Sequence, residues 1–445
     1  SSAGESMTTG VRNTIMGGLA GDALTTGSDN IAIGYAALSS SDTGSRTVAI
    51  GSYALEDQNP TGSDYFYNVA IGYTAGRDIT TGTNNTIIGG LAGDALTTGG
   101  SNTVLGYSAL SAEDTGSRNV AIGQEALGAL NYDGEAYNTA VGFAAGKLVS
   151  TGINNTLIGG QAGNALTTGS SNIAIGMDAL DVEDTGSRNI AIGHNALKAL
   201  NYDGYGYNVA VGHSAGKAVS TGVENTLIGS LAGDAITTGQ YNTAVGHKSL
   251  SGEDTGNRNT ALGYKTLEVL NYDGNAENTA VGYIAGASMT TGLRNTLVGA
   301  FAGDSITTGD DNTAIGRAAL ASEDTGNKNT AIGYAALNSL NYDGDGHNTA
   351  MGYNAGVLVS TGRNNTLLGS QAGDALTTGL NNVAVGYNSL SLEDENGGNV
   401  AVGTNTLRTL NAGADAYNVA VGNQAGYTAT TGIDNVLVGA ASGYA

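Results

Sequence analysis

The segment NTAVGFAAGKLVSTGIN, residues 138–154, decides the fold because it recurs. It returns as NVAVGHSAGKAVSTGVE from Asn208, NTAVGYIAGASMTTGLR from Asn278 and NTAMGYNAGVLVSTGRN from Asn348, with starts 70 residues apart. Within each 70 the opening Asn-Thr/Val-Ala-Val-Gly comes back after 17, 17, 17 and then 19 residues, so four related coils make one super-repeat. Coil starts run from Asn13 to Asn435, 25 in all; the first position is Asn in every coil except that of Thr47, and the fifth is Gly throughout. Self-similarity on this scale marks a repeat architecture in which each unit buries its apolar face only by stacking on its neighbours.

Residues 1–445 therefore read as a single β-solenoid array, not as the two or three domains that the length alone would suggest. Residues 1–12 form a partial coil, 13–67 a first super-repeat, 68–417 five super-repeats of 70 residues and 418–445 a partial one. The coil of Thr47 is two residues longer than its counterparts. The extra length falls near residues 58–64, around the only proline, Pro60. A surface loop absorbs such an insertion at small entropic cost. Both termini fall inside coils, so the chain reads as a piece of a longer array.

Each coil opens with a strand. Asn-Thr-Ala-Val is too short between glycines for a helix, and β-branched residues favour extended backbone. A second extended piece is expected at coil positions 11 to 14, as in Ala23-Leu24-Thr25-Thr26, closed by Gly27. Stacked rungs would pair each strand in parallel with its copy in the next coil, giving an all-β parallel β-roll with coils of 17–19 residues. At ~4.8 Å per rung, 25 rungs stack to roughly 120 Å.

Side chains alternate along a strand, so coil positions 2 and 4 share one face and position 3 takes the other. Position 4 is always Val, Ile, Leu or Met; position 2 is Thr, Val or Ile. Position 3 is Ala in most coils and a large aliphatic in one coil of each four: Ile15, Ile87, Leu157, Leu227, Leu297, Leu367 and Leu437. A strand apolar on both faces is normally buried on both. One roll has one interior, so further copies of the chain are expected to shield the other face, with Val141, Val211, Val281 and Ile332 on the interchain seam. The interior is filled by alternation at positions 9 and 12: Gly163 with Leu166, Leu110 with Glu113, Leu197 with Leu200.

Composition narrows the function classes. Glycine supplies 73 residues and proline one, which excludes collagen. The absence of cysteine excludes disulfides and thiolate metal sites. With 39 acidic against 16 basic residues the net charge is −23, which repels phosphate backbones and anionic membranes and argues against nucleic acid as a partner. No apolar run approaches the ~18 residues that cross a bilayer, so no membrane insertion is expected in this segment.

The rungs built on NTAIGYAALNSL, residues 329–340, resemble the head repeats of trimeric autotransporter adhesins, and are closer still to the NTAxGYxAL…TTGxNN arrays of phage tail-fibre-domain repeat proteins. The likeness runs from Asn13 to Gly443. It implies a left-handed roll assembled as a homotrimer, with the opening strands near the threefold axis. Coils of 17 or 19 residues, against roughly 14 in the adhesin heads, leave room for longer outer loops and weaken the transfer of any binding site.

Candidate sites are all columns. The position-1 asparagines, among them Asn119, Asn138, Asn189, Asn208, Asn259 and Asn278, read as an amide ladder. Asn84-Asn85-Thr86 and Asn154-Asn155-Thr156 also fit a glycan acceptor. His194, His213 and His247 occupy position 6, where other coils carry Tyr or Phe, and read as an outer aromatic column and not as metal ligands. Glu-Asp-Thr-Gly at Glu113, Glu183, Glu253 and Glu323, and Asn-Tyr-Asp-Gly at Asp133, Asp203, Asp273 and Asp343, read as solvated turns. Calcium at those four aspartates is the alternative, although the spacing fits neither an EF-hand nor a nonapeptide calcium repeat. Arg118, Arg188, Arg258 and Lys328 follow the acids and are expected to pair with a neighbouring rung or chain. Thr25-Thr26, Thr97-Thr98 and their copies raise ice binding, but other loops interrupt the array.

No nucleophile, base and orienting group occur together, so no catalytic residue and no cofactor is assigned. The expectation is an extracellular structural fibre, the shaft or head of a phage tail fibre, adhesin or appendage, self-associated as a homotrimer and presenting a surface to a host glycan or protein receptor. A monomeric ligand-binding or ice-binding solenoid is the alternative.

Overall fold

The computed structural model describes residues 2–59 and 65–444, so the insertion around Pro60 lies outside the described residues except for Gln58 and Asn59. Two compact units are present, Ser1–Glu224 and Asn225–Ala445. Each is a parallel β-solenoid, with no helix among the described residues. The first holds strands β1 (Thr14–Met16) to β12 (Val209–Val211), the second β13 (Thr226–Ile228) to β25 (Val436–Val438), all three residues long. Pairing is parallel and in coil register: Thr139, Ala140 and Val141 face Thr156, Leu157 and Ile158, and Thr260, Ala261 and Leu262 face Thr279, Ala280 and Val281.

The expected second strand does not form. Residues 21–23 are turn and 25–26 a bend, although Thr25 N–H still reaches the Asp42 carbonyl of the next rung at 2.7 Å. The reason lies in the residues before it. Positions 7 and 9 take left-handed backbone, as at Ala36 (φ 54°) and Leu38 (φ 55°), which curls the chain too tightly for extended pairing. Inter-rung hydrogen bonds survive there without strand geometry.

The fifth-position glycine ends each strand with φ between 120° and 145°, a region closed to other residues. Its neighbours forbid a side chain as well: a Cβ on Gly123 would sit 2.2 Å from the Gly142 carbonyl oxygen.

Position 3 is the core. Ala140, Leu157, Ala174 and Ala191 are all fully buried. Four kinds of coil follow one another, here called a to d, and each fills the interior differently. Coil a has Leu157 with Gly163 and Leu166; coil b has Ala174 with Leu180 and Glu183; coil c has Ala191 with Leu197 and Leu200; coil d has Ala140 with Gly146 and Val149. A Cβ on Gly146 would lie 2.5 Å from one Leu157 methyl, and a Cβ on Gly163 would lie 2.7 Å from the other. One leucine therefore occupies the space that two glycines leave. In coils b and c the position-9 leucines fill the centre themselves despite φ of 47° to 55°. Left-handed backbone costs such a residue roughly 1–2 kcal/mol. Burying a leucine returns ~1.5–3 kcal/mol and avoids a cavity, so packing wins.

The coil of Thr47 departs from this scheme in a coordinated way. Gln58 replaces the leucine of position 12 and donates to Thr47 Oγ1 at 3.0 Å, while its Oε1 accepts from Asn68 Nδ2 at 2.9 Å. The amide missing from position 1 is thus supplied from position 12. Phe66, fully buried, takes up core volume beside Ser41, which stands where later b coils carry glutamate.

Candidate functional site

The strands of each unit line up their position-2 and position-4 residues on one outward face. Val141, Val211, Val281 and Ile332 are half-buried, with the buried position-3 residue between each and its position-2 neighbour. Some members of the column are more open, with Leu105 45% and Met351 47% exposed. In the single chain this face therefore touches solvent, and no charged residue occupies either outward position in any of the 25 strands.

The asparagines line up behind that face. Asn138 Oδ1 accepts the Asn155 main-chain N–H at 3.0 Å, and Asn138 Nδ2 donates to the Gly152 carbonyl at 2.8 Å, closing its own turn. The amide therefore joins main chain to main chain; direct amide-to-amide contacts, as Asn119 Nδ2 to Asn102 Oδ1 at 3.3 Å, are secondary. In coil c the longer loop withdraws the turn carbonyl, and Asn119 Nδ2 turns to the Ser117 carbonyl at 3.3 Å. Asn189 makes the same substitution with Ser187 at 3.4 Å. Asn208 and Asn278 keep the turn bond, to Gly222 and Gly292, and Asn278 N–H donates to Asn259 Oδ1. Asn138→Ala strands the buried Asn155 N–H and Gly152 carbonyl. Loss of about 2–4 kcal/mol is expected, at one to two per orphaned group, and amide exchange at Asn155 checks it.

The position-6 aromatics form an outer column. His194 and His213 stack at 5.4 Å, His247 and Tyr264 at 5.6 Å, and Tyr264 and Tyr283 at 5.3 Å. His347 lies elsewhere, 3.8 Å from Asp345. Among the described residues no group of three or more His, Cys, Asp or Glu could hold a metal ion. The four aspartates proposed for calcium are kept apart by the 70-residue period. Asp133, Asp203 and Asp343 each accept a hydrogen bond from the hydroxyl of Thr115, Thr185 and Thr325 at 2.5–2.7 Å, and Asp273 does so from Thr255.

The basic residues pair with the following rung but not with the Glu-Asp turn. Arg118 meets Glu135 at 3.0 Å, Arg258 meets Glu277 at 3.3 Å and Lys328 meets Asp345 at 2.6 Å. Arg188 instead lies 4.0 Å over the Tyr205 ring and donates to the Tyr207 hydroxyl. Exposed pairs of this kind contribute little to stability. The first threonine of Thr-Thr-Gly is also engaged in the inner rungs: Thr25, Thr97, Thr167 and Thr237 donate their hydroxyls to the carbonyls of Asp42, Asp114, Asp184 and Asp254 at 2.9–3.0 Å.

The alternation at positions 9 and 12 puts Glu113 in the interior, and the structure agrees; the solvated-turn reading of the same motif is overturned. Glu113, Glu183, Glu253 and Glu323 are not in solvated turns; all four are fully buried inside the solenoid, as is Glu393. They stand at position 12, the column that leucines fill in neighbouring rungs, so the position-12 alternation and not the Glu-Asp-Thr-Gly motif was the informative signal. Glu113 Oε1 accepts the Gly116 N–H at 2.7 Å, and Oε2 accepts the Tyr132 N–H of the next rung at 3.3 Å. Burial pushes all five carboxyls upward, those of Glu253 and Glu393 to about 7.

The surface clefts are shallow. One of about 340 Å³ is lined by Ser108, Ser111, Glu125, Gly128, Ala129, Lys147 and Leu148, with Lys147 tied to Glu125 at 2.6 Å. No helix among the described residues is long and apolar enough to cross a membrane. These features define a parallel β-solenoid repeat protein. A comparison of the chain with models of protein families finds no match, and no curated protein matches it.

Proposed function

We propose that the protein is a structural and interaction element: the shaft or head of an extracellular, homotrimeric fibre, of a virion tail or a cell-surface appendage, with no enzymatic activity. The observation that carries this reading is the outward strand face, apolar at position 4 of every rung and uncharged at position 2, where threonine, valine and isoleucine alternate. Covering the exposed part of one Val or Ile recovers roughly 0.5–1 kcal/mol, about a third of its full transfer value. Summed over the position-4 column of all 25 rungs, this reaches roughly 12–25 kcal/mol, comparable with or above the ~4–15 kcal/mol that association costs. Copies of the same chain are the natural cover, because only an identical repeat matches the face rung for rung. Val141, Val211, Val281 and Ile332 lie on this seam. The acidic, tyrosine-bearing remainder would present one contact many times over, which suits weak multivalent binding to a receptor glycan or protein.

Sedimentation of the full chain at low concentration tests the reading. The expected mass is three times 44.1 kDa, and Val211→Asp with Val281→Asp should reduce it to one chain or unfold the protein. A single-chain mass for the wild type, with melting untouched by the two aspartates, would remove the fibre and favour a monomeric solenoid.

A further inference from the structure

We propose that the interior glutamates make the solenoid proton-responsive, each junction between a b coil and the following c coil being locked in weakly acidic solution and loosened as the pH rises. Five such junctions exist, at Glu113, Glu183, Glu253, Glu323 and Glu393.

The geometry is that of a carboxyl in an apolar column. The residues at the same coil position in the rungs on either side of Glu113 are Leu96 and Leu130, and around Glu253 they are Ile236 and Leu270, all fully buried. The first oxygen of each carboxyl takes main-chain N–H donors: Gly116, Gly186, Gly256 and Gly326 at 2.7 Å and Asn396 at 3.2 Å, joined by Asp254, Asp324 and Asp394 at 3.1–3.2 Å; at Glu393 the Asn396 side-chain amide also favours the charged form. The second oxygen meets the next rung's N–H at 3.3 Å for Glu113, Glu183 and Glu323. For Glu253 and Glu393 it has no hydrogen-bond partner among the described residues.

The charges that act on these carboxyls are acidic and push them further upward. Asp114, Asp184, Asp254, Asp324 and Asp394 adjoin the glutamates in sequence, and Asp133, Asp203, Asp273, Asp343 and Asp415 come from the next rung's loop. The nearby bases are spent elsewhere: Arg118, Arg258 and Lys328 on Glu135, Glu277 and Asp345, and Arg188 on Tyr205 and Tyr207. Ionisation thus places an unpaired charge between apolar side chains, whereas the neutral acid keeps its carbonyl on the glycine N–H.

The sign follows from linkage. A carboxyl raised in the folded state binds more protons there than in the unfolded chain, so its contribution is complete below the unfolded value near 4.3. That contribution is lost as the pH rises to about 7 for Glu253 and Glu393, and the opening equilibrium of those junctions should grow on the order of 10²-fold across the window. The first super-repeat is an internal control, because Ser41 and Phe66 fill the corresponding interior without a titratable group.

Hydrogen exchange of the full chain at pH 5.5 and 8, corrected for intrinsic rates, is the test. Protection around Tyr132, Tyr202, Tyr272, Tyr342 and Ala412 should fall at the higher pH while that around Ser41 and Phe66 holds. In parallel, the melting temperature of Glu113→Gln, Glu183→Gln, Glu253→Gln, Glu323→Gln, Glu393→Gln should lose most of the wild-type slope between pH 5 and 8, in high salt to screen surface acids. An unchanged slope in the glutamine variant overturns the proposal, as does an equal loss of protection at the Ser41 junction. Should the variant fail to fold, the exchange pattern of the wild type decides alone.

Discussion

Gly123→Ala is expected to open the array at its own rung and the next, at a cost on the order of 3–5 kcal/mol. The glycine has φ 130°, and its added Cβ would stand 2.2 Å from the Gly142 carbonyl oxygen and 2.6 Å from the carbonyl carbon. Both are main-chain atoms, so no rotamer change relieves the overlap. Moving that carbonyl disturbs the Gly142 N–H, which donates to Ile122 at 2.7 Å, and with it the pairing of Val120–Ile122 against Thr139–Val141. Gly160→Ala serves as the control. That glycine has ordinary backbone and nothing within 4 Å of the new methyl, so a change within ~0.5 kcal/mol is expected. Because the damage is confined to two rungs of a long repeat array, where cooperativity weakens, limited proteolysis with local hydrogen exchange is the most direct readout. Unchanged protection in the rungs of Asn119 and Asn138 would refute the argument.

The same glycine shows why so much of the fold was legible. Its invariance at position 5 needs no structure to notice, and it fixes one strand, one exit turn and one register in every rung. Asn at position 1 and Ala or Leu at position 3 do likewise, because a column repeated through the chain has one physical reason repeated with it. What failed were inferences within a single rung. Ala23-Leu24-Thr25-Thr26 reads as extended by residue type, but left-handed backbone at Leu19 and Gly21 upstream turns it aside, and leucine in that conformation is against its own preference. Glu113 reads as solvated because glutamate usually is. Only the comparison of position 12 across rungs, Leu96, Glu113, Leu130, places it inside. The repair of the Thr47 coil by Gln58 and of Ser41 by Phe66 joins residues 11 and 25 apart in sequence, and no period in the sequence announces it.

The interior rule itself makes the second large prediction. Coil a combines a large residue at position 3 with glycine at position 9, and coils b and c combine a small residue with leucine; these are two solutions to one volume. Leu157→Ala should cost ~3–5 kcal/mol, since the methyls over Gly146 and Gly163 leave a void in two rungs. Gly163→Leu alone should cost about 1–3 kcal/mol or more by overpacking, its Cβ already 2.7 Å from Leu157 and 2.8 Å from Leu166. Together they rebuild the interior of coil c, Ala at 3 with Leu at 9 and 12, on a backbone that holds φ 58° at this position, as leucines elsewhere in the chain do near 50°. The double variant should therefore be more stable than Leu157→Ala, retaining only the residual void at Gly146. A coupling of about 2 kcal/mol or more in the double-mutant cycle, read by chemical denaturation with exchange at rung Asn155, is the expected result. Additive losses would mean that the two patterns are not interchangeable, and that coil order is set by something other than interior volume.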